Sequence, residues 1–321
     1  MTNLTTSKKG KVILIDFGIT MFTAIFAWYS HKQGTPCYTA ITMILSNLKK
    51  VGLDKEDLVI IAVDSSSNWR KDVDVNYKAN RKEGREKYDI DWDKQFEDFA
   101  GLLLNLKMYT PFHVLKVNKM EADDIIAYGV RKFKDRECVI ISSDSDYEQL
   151  AVFDNVKIFS PKSKRYKHID DPHAILAKKI QKETADNLIT EIITEQDCQT
   201  RNMIVNLMEL PEMVEEAVDK VLRFLPEKEW HYDKIFYMKS LSNRYYSIYE
   251  KDKVVDFNKK LKSKKPKMIT KKMTYCTFEH LPDETYSIRI KREDEVICLK
   301  LKEAQILSNW INELNDKRRK K

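Results

Sequence analysis

Nine carboxylates in this chain stand at the ends of aliphatic runs or at the starts of helical ones: Asp16, Asp64, Glu121, Asp123, Asp124, Asp144, Asp146, Glu183 and Asp186. A buried sheet would carry most of them to one of its edges. There they would repel one another, because two carboxylates about 4 Å apart cost on the order of 4 kcal/mol at an effective dielectric of 20. Shared cations make such crowding tolerable. Ligation by oxygen alone favours Mg²⁺, with Mn²⁺ as a substitute, and two such ions roughly 4 Å apart suit phosphodiester hydrolysis.

Three local patterns sharpen this expectation. In Ser142-Ser143-Asp144-Ser145-Asp146, two carboxylates spaced by one residue follow the aliphatic run 138–142 and can turn into one pocket. The plainer alternative is a helix N-cap with Asp146 in the first turn. Glu121-Ala122-Asp123-Asp124 opens a helical stretch. Acids in a first turn complement the helix dipole, but one or two suffice for that. The third pattern is basic: Asn68-Trp69-Arg70-Lys71, then Tyr77-Lys78-Ala79-Asn80-Arg81-Lys82. Arg and Lys at helical spacing can grip one phosphate, Arg as a bidentate fork and Lys as a point charge. Lys78 and Arg81 are the candidates for the scissile phosphate. Arg70, Lys71, Tyr77 and Lys82 are candidates for holding substrate beside it, Tyr77 by stacking on an unpaired terminal base. Taken alone, the basic stretch would be a solvated face.

The elements that must position these groups are legible as aliphatic runs. Residues 11–15 and 58–63 each end at an Asp and fit buried parallel strands; 112–117, 138–142 and 156–159 continue the series. Helical spacing fills 19–31, 39–50, 96–109 and 121–132, with a further helical segment near 147–150. Strands alternating with helices predict a doubly wound sheet that binds ligands at the carboxyl ends of its strands. Residues 80–92 are charged and lack apolar periodicity, as expected of an exposed loop or a mobile helical excursion. After Pro161 the pattern turns helical to about residue 261, with breaks at Pro211 and Pro226. The lysine-rich 259–272 fits a linker, and beyond it strands at 275–278, 286–290 and 296–301 and a helix at 304–314 form a small α+β module. The expected domains are 1–190, 191–262 and 263–321.

A chain of 321 residues with 42% hydrophobic content can bury a full α/β core. No apolar run is long enough for a membrane span and the first ten residues hold no signal-peptide core, so the expected location is cytoplasmic. The five cysteines lie far apart with no CxxC pair, which fits reduced thiols. The net charge of +7 is uneven: residues 251–321 carry 20 Lys/Arg against 11 Asp/Glu, leaving residues 1–250 at −2. An acidic cluster with a basic tail suits an enzyme acting on a polyanion, although a solvated lysine-rich surface has the same composition. The six histidines are scattered without partners at catalytic spacing and fit structural roles. Leu307 and Trp310 fit the core of the small module.

The order Leu14-Ile15-Asp16-Phe17, Val63-Asp64, Trp69 to Lys82, Glu121-Ala122-Asp123-Asp124-Ile125-Ile126-Ala127 and Ile141 to Leu150 resembles the 5′-nuclease superfamily of flap endonucleases and polymerase-associated 5′-exonucleases, in particular its branch of T-even phage ribonuclease H enzymes. The resemblance spans residues 11–187. It implies a PIN-like α/β sheet with helices on both faces, an arch on the charged segment after Arg81, and Mg²⁺-dependent 5′-3′ cleavage of RNA:DNA hybrids, nicked duplexes or 5′ flaps during primer removal. By the same resemblance Asp16, Asp64, Glu121, Asp123, Asp124, Asp144 and Asp146 correspond to metal-binding acids. Glu183 and Asp186 correspond to a later pair in which Glu replaces the usual first Asp. A glycine-containing hairpin that grips duplex normally follows, yet no glycine follows Gly129. Duplex affinity is then expected from the basic tail or from a partner such as a single-strand-binding protein or a sliding clamp. Two other readings remain: a Toprim-type site, which leaves Asp16, Asp64 and the Tyr77 to Arg81 stretch unexplained, and a non-catalytic adaptor that keeps the fold and binds nucleic acid or a replication or defence partner.

Overall fold

The run 11–15 becomes strand β1 (Val12–Asp16), buried along its whole length. The computed structural model describes residues 10–31, 34–181 and 194–228, with the backbone of four strands between 270 and 299. Helices α1 (Phe17–His31) and α2 (Pro36–Lys50) follow β1 and lead to β2 (Leu58–Val63), a second aliphatic run buried over its last five residues. Two short helices, α3 (Arg70–Val73) and α4 (Arg81–Glu86), occupy the basic stretch, and α5 (Trp92–Tyr109) precedes β3 (His113–Lys116). The charged segment 80–92 is thus partly helical. Then come α6 (Ala122–Lys132), β4 (Cys138–Ile141), a 3₁₀ helix (Asp146–Val152) and β5 (Val156–Ser160).

The sheet order is β3-β2-β1-β4-β5-β6, parallel except for the short β6 (Arg165–Tyr166), which turns back on β5 and had no signal in the aliphatic pattern. β1 pairs β2 on one side and β4 on the other, so the strand order reverses there. This is the switch point at which open α/β sheets bind ligands. α6 lies close over β1: a Cβ added at Gly129 would stand 3.3 Å from Leu14 Cδ2, so this contact favours glycine.

Three more helices complete the described part of this unit: α7 (Pro172–Gln181), α8 (Glu195–Val205) and α9 (Glu212–Leu222). Pro211 stands at the N-cap of α9 and α8 ends at Val205, in line with the expected break. Leu207, Leu210, Val214, Val218 and Leu222 share one hydrophobic core with Val12, Leu14, Ile60, Ile125 and Ile140. Each such buried aliphatic side chain contributes roughly 1.5–3 kcal/mol. The helical segment after residue 191 therefore packs on the sheet. By compactness the chain divides into Met1–Val254 and Val255–Lys321.

The second unit holds an antiparallel sheet of order β10-β9-β8-β7, from β7 (Thr270–Lys272), β8 (Thr277–His280), β9 (Ile288–Arg292) and β10 (Glu295–Leu299). This corrects the three-strand expectation: the lysine-rich stretch taken as linker ends in a strand, because β7 pairs with β8. The expected helix 304–314, with Leu307 and Trp310, and the acids Glu183 and Asp186 lie outside the described residues. Among the described residues no helix is long and apolar enough to cross a membrane. Cys37 and Cys138 are buried free thiols.

Candidate active site

Four carboxylates gather where β1, β2 and β4 end beside the N-terminus of α6. Asp16 is the last residue of β1, Asp64 follows β2, Asp144 follows β4 and Asp123 lies in the first turn of α6. Asp64 Oδ1 accepts the Ala122 N–H at 2.8 Å, so one acid caps the helix that carries another. A Cβ at Gly18 would stand 3.3 Å from Asp64 Oδ2 and 3.4 Å from Asp16 Oδ1, so the missing side chain of Gly18 leaves a small gap bounded by both carboxylates. Among the described residues none of these four acids forms a salt bridge.

Their protonation reflects that imbalance. Burial, then the charges of Asp64 and Asp144, push Asp16 up to about 7. Asp123 is also raised, by burial and then by Glu121, Asp16 and Asp144, with Lys78 opposing. Asp64 shifts upward by desolvation first, with Glu121 adding to it and Lys78 and Arg81 opposing. Its side chain is open to solvent, which argues for a weaker effect there than at Asp16. The Tyr147 hydroxyl lies 2.6 Å from Asp123 Oδ1 and 3.2 Å from Asp16 Oδ2. The hydroxyl therefore links the two acids, with its shorter contact to Asp123.

A second set of acids is charge-balanced. Glu121 Oε2 accepts from Arg70 Nη1 at 3.2 Å and from the Tyr77 hydroxyl at 2.9 Å, while Lys78 Nζ sits 2.6 Å from Oε1. Burial would raise Glu121, but the Lys78 and Arg70 cations outweigh it and bring the carboxyl down to about 2. Asp124 accepts from Trp69 Nε1 at 3.1 Å, Arg70 Nη1 at 3.0 Å and its own cap residue's N–H, that of Glu121, at 2.8 Å; Arg70 Nη2 is 2.8 Å from the other oxygen. Arg70 Nε donates to the Ile204 carbonyl at the end of α8.

These contacts correct four expectations. Arg70 and Tyr77, each 2% exposed, cannot meet a substrate phosphate or stack on a base; they hold Glu121 and Asp124 in place. Asp124 is fully buried, with both oxygens on Arg70 and one also on Trp69, which is the arrangement of a structural ion pair rather than of an open metal ligand. Glu121 has both oxygens engaged and can serve a cation only by sharing Oε1 with Lys78. Lys78 itself stands half-buried at φ 56°, a left-handed backbone uncommon for a residue with a Cβ. Arg81 and Lys82 open α4 on the surface and Lys71 is exposed on α3.

At the end of β4, Ser142 Oγ accepts the Asp144 N–H and Asp144 Oδ1 accepts the Asp146 N–H at 3.0 Å, and Asp146 starts the 3₁₀ helix. Lys179 of α7 reaches Asp146 Oδ1 at 2.5 Å. Burial and then Asp144 raise Asp146 to about 6 against the opposing Lys179 charge. Sequence reasoning missed Tyr147, Ser142, Trp69 and Lys179 as parts of this site. Ser142 at the end of β4 and Tyr147 in the 3₁₀ helix stand beside the Asp144–Asp146 pair in sequence, but the carboxylates they contact, Asp16 and Asp123, are distant in the chain. Lys179 carries no local signal.

The donor set is all oxygen, which suits a hard divalent cation. Among the described residues no three carboxylate, imidazole or thiol groups form a ready shell around one point.

A profile of the 5′-3′ exonuclease N-terminal, resolvase-like domain matches residues 11–190, more than half of the chain. The chain belongs to that family. The chain is 32% identical over 166 residues to ribonuclease H of Enterobacteria phage T4, covering 49% of this chain and 54% of the relative. It is 24% identical over 161 residues to a 5′-3′ exonuclease of Buchnera aphidicola, covering 48% and 53%. The chain thus matches about half the length of these curated relatives. A solved structure of T5 5′-exonuclease with divalent metal ions (zinc) bound superposes with a TM-score of 0.50 at 17% identity, covering 67% of this chain and 98% of that one. The likeness confirms the mostly parallel PIN-type fold of the 5′-3′ exonuclease domain.

Proposed function

We infer that the chain is a Mg²⁺-dependent nuclease that hydrolyses phosphodiesters from 5′ ends, as a 5′-3′ exonuclease or flap endonuclease on RNA:DNA hybrids and DNA, and that it removes RNA primers in phage replication. The observation that carries this reading is the group Asp16, Asp64, Asp123 and Asp144, brought to one strand-end edge with no salt bridge among the described residues, the carboxyls of Asp16, Asp64 and Asp123 being raised. The relatives' names, ribonuclease H and 5′-3′ exonuclease, support the substrate class.

In this reading Asp16, Asp64, Asp123, Asp144 and Asp146 hold two Mg²⁺ ions, with Mn²⁺ as a substitute, and Glu121 shares Oε1 with Lys78. Bound metal supplies an activated water and charge stabilisation for the leaving 3′ oxygen. The chain's own groups do the rest. Tyr147 hydrogen-bonds the Asp16–Asp123 pair, and Arg70 with Tyr77 keeps Glu121 oriented. Lys78 and Arg81 bind the scissile phosphate and offset its developing charge. Lys71 and Lys82 steer the polyanion from the exposed rim. Glu183 and Asp186, outside the described residues, are proposed as further metal-binding acids on the family resemblance alone, and a single-strand-binding protein or sliding clamp would recruit the enzyme to its junction in the cytoplasm of the infected cell.

An end-labelled 5′ flap, a nicked duplex and an RNA:DNA hybrid test the proposal directly. Cleavage that needs Mg²⁺ and stops with EDTA is the expected result. Binding without cleavage in either condition would instead favour a nucleic-acid-binding adaptor.

A further inference from the structure

The acids of the site differ in what balances them: Glu121 and Asp124 have Arg70 and Lys78, and among the acids at the strand ends the difference tracks one lysine. Asp16, Asp64, Asp123 and Asp144 form no salt bridge among the described residues, whereas Asp146, two residues from Asp144, has the Lys179 ammonium on its Oδ1 at 2.5 Å. The Lys179 side chain is 13% exposed and that of Asp146 25%. This is therefore a sheltered pair, well removed from the solvent-screened surface type whose contribution is small.

The placement of Lys179 is fixed from both sides. Leu176 and Ile180 of α7 pack on Tyr77, Ile204 and Val205, which seats the helix beside the Glu121 network. Arg201, 4% exposed, donates from Nη1 to the last carbonyls of α7, Ile180 O at 3.2 Å and Gln181 O at 3.1 Å. Lys167 adds a second cation along the same edge, with Nζ on the Asp144 carbonyl at 3.3 Å and on Glu148 at 2.7 Å. α7 is thus docked and capped with its ammonium aimed at one carboxylate of the proposed metal edge.

We propose that Lys179 is a tethered cation occupying Asp146 where a second divalent ion would bind, so that loading of the Asp144/Asp146 edge proceeds by displacing it. The proposal rests on the metal-site reading above and deepens it: the two ions bind unequally, and Lys179 sets the inequality. The ion held by Asp16, Asp64 and Asp123 displaces no salt bridge among the described residues, Lys78 and Arg81 acting on those acids only from a distance. The ion at Asp146 must take an oxygen from a preformed charge-assisted hydrogen bond. Lys179 is in this sense a positioning residue that keeps Asp146 ordered and charge-balanced until metal arrives.

The test is Mn²⁺ binding to the full chain by calorimetry and electron paramagnetic resonance, independent of cleavage. Wild type should show one tight and one weak ion. Lys179→Met keeps the aliphatic stem without the charge and should tighten the weak ion roughly tenfold, leaving the tight one within about twofold, since a hydrogen bond to a charged group is worth that much. Lys179→Arg should restore the weak class, which a purely packing role would not predict. Lys179→Gln serves if the Met variant does not fold. Two equally tight ions in wild type, or a second ion unchanged or weaker in Lys179→Met, would overturn the proposal while leaving the metal site standing. Absence of any Mn²⁺ binding in wild type would overturn the metal-site reading itself, and this proposal with it.

Discussion

Arg70 and Asp16 occupy opposite electrostatic situations a few residues' reach apart, and substitutions at them should behave oppositely. Arg70→Met removes the cation from between Glu121 and Asp124, leaving buried Asp124 with no cation and Glu121 with Lys78 alone. Breaking a buried pair in this way typically destabilises by about 3–5 kcal/mol, so urea unfolding should show a loss of that order, partly recovered when Glu121→Gln and Asp124→Asn are added. Asp16→Asn removes a charge that its neighbours disfavour; cleavage should be lost while the melting temperature of the metal-free protein holds or rises. A third residue reports on pH. Burial, then the Lys228 charge, holds the His113 imidazole down to about 4, against an ordinary 6.5. Between those values the unfolded chain takes up a proton that the native state refuses, so this contribution to stability is complete above pH 6.5 and is lost as pH falls toward 4. His113→Gln should flatten the melting temperature over that window; an unchanged acid limb would contradict the assignment. At this scale the acids were legible from residue type and position, but their division into balanced and unbalanced sets was not. That division depends on α3 turning Arg70 and Trp69 inward, and a run of basic residues looks the same whether it faces water or a buried carboxylate.

Strands were the most readable elements because they are short aliphatic runs ending at an acid: 11–15 and 58–63 became β1 and β2 with a shift of one residue at most. Helix α6 was legible from its acidic start and apolar face. The role of α7 was not, because its contacts are made to residues distant in the chain: Lys179 meets Asp146 across 33 positions of sequence, and Leu176 and Ile180 meet Tyr77. β6 escaped notice because its two residues are exposed and carry no alternation. The start of α1 supplies an element-scale prediction with two signs. Gly18→Ala places a Cβ 3.3 Å and 3.4 Å from oxygens of Asp64 and Asp16. The helix should gain up to about 1 kcal/mol from the better helix former. Divalent affinity should fall, because the added methyl crowds both carboxylates. Thermal melts and Mn²⁺ titration on one preparation check both halves, and a variant with undiminished affinity would show that the gap beside Gly18 has no part in metal binding.

For the molecule as a whole, charge separates along the chain, with a net −2 before residue 251 and an excess of nine positive charges after it. The compact division at Val254 and Val255 falls almost on that boundary. If the second unit supplies phosphate contacts, a chain ending at Val254 should bind duplex more weakly and with a shallower dependence on salt, since each neutralised phosphate contributes a slope of about −0.9. An equal slope in the two proteins would assign the second unit another role. The central claim is that side chains from β1, β2, β4 and α6 hold divalent cations together at one edge of the sheet. Calorimetric titration of Mn²⁺ into the Asp16→Asn/Asp144→Asn double variant tests it most directly. The account predicts a folded protein whose tight binding has vanished; affinity equal to that of the wild type would contradict it.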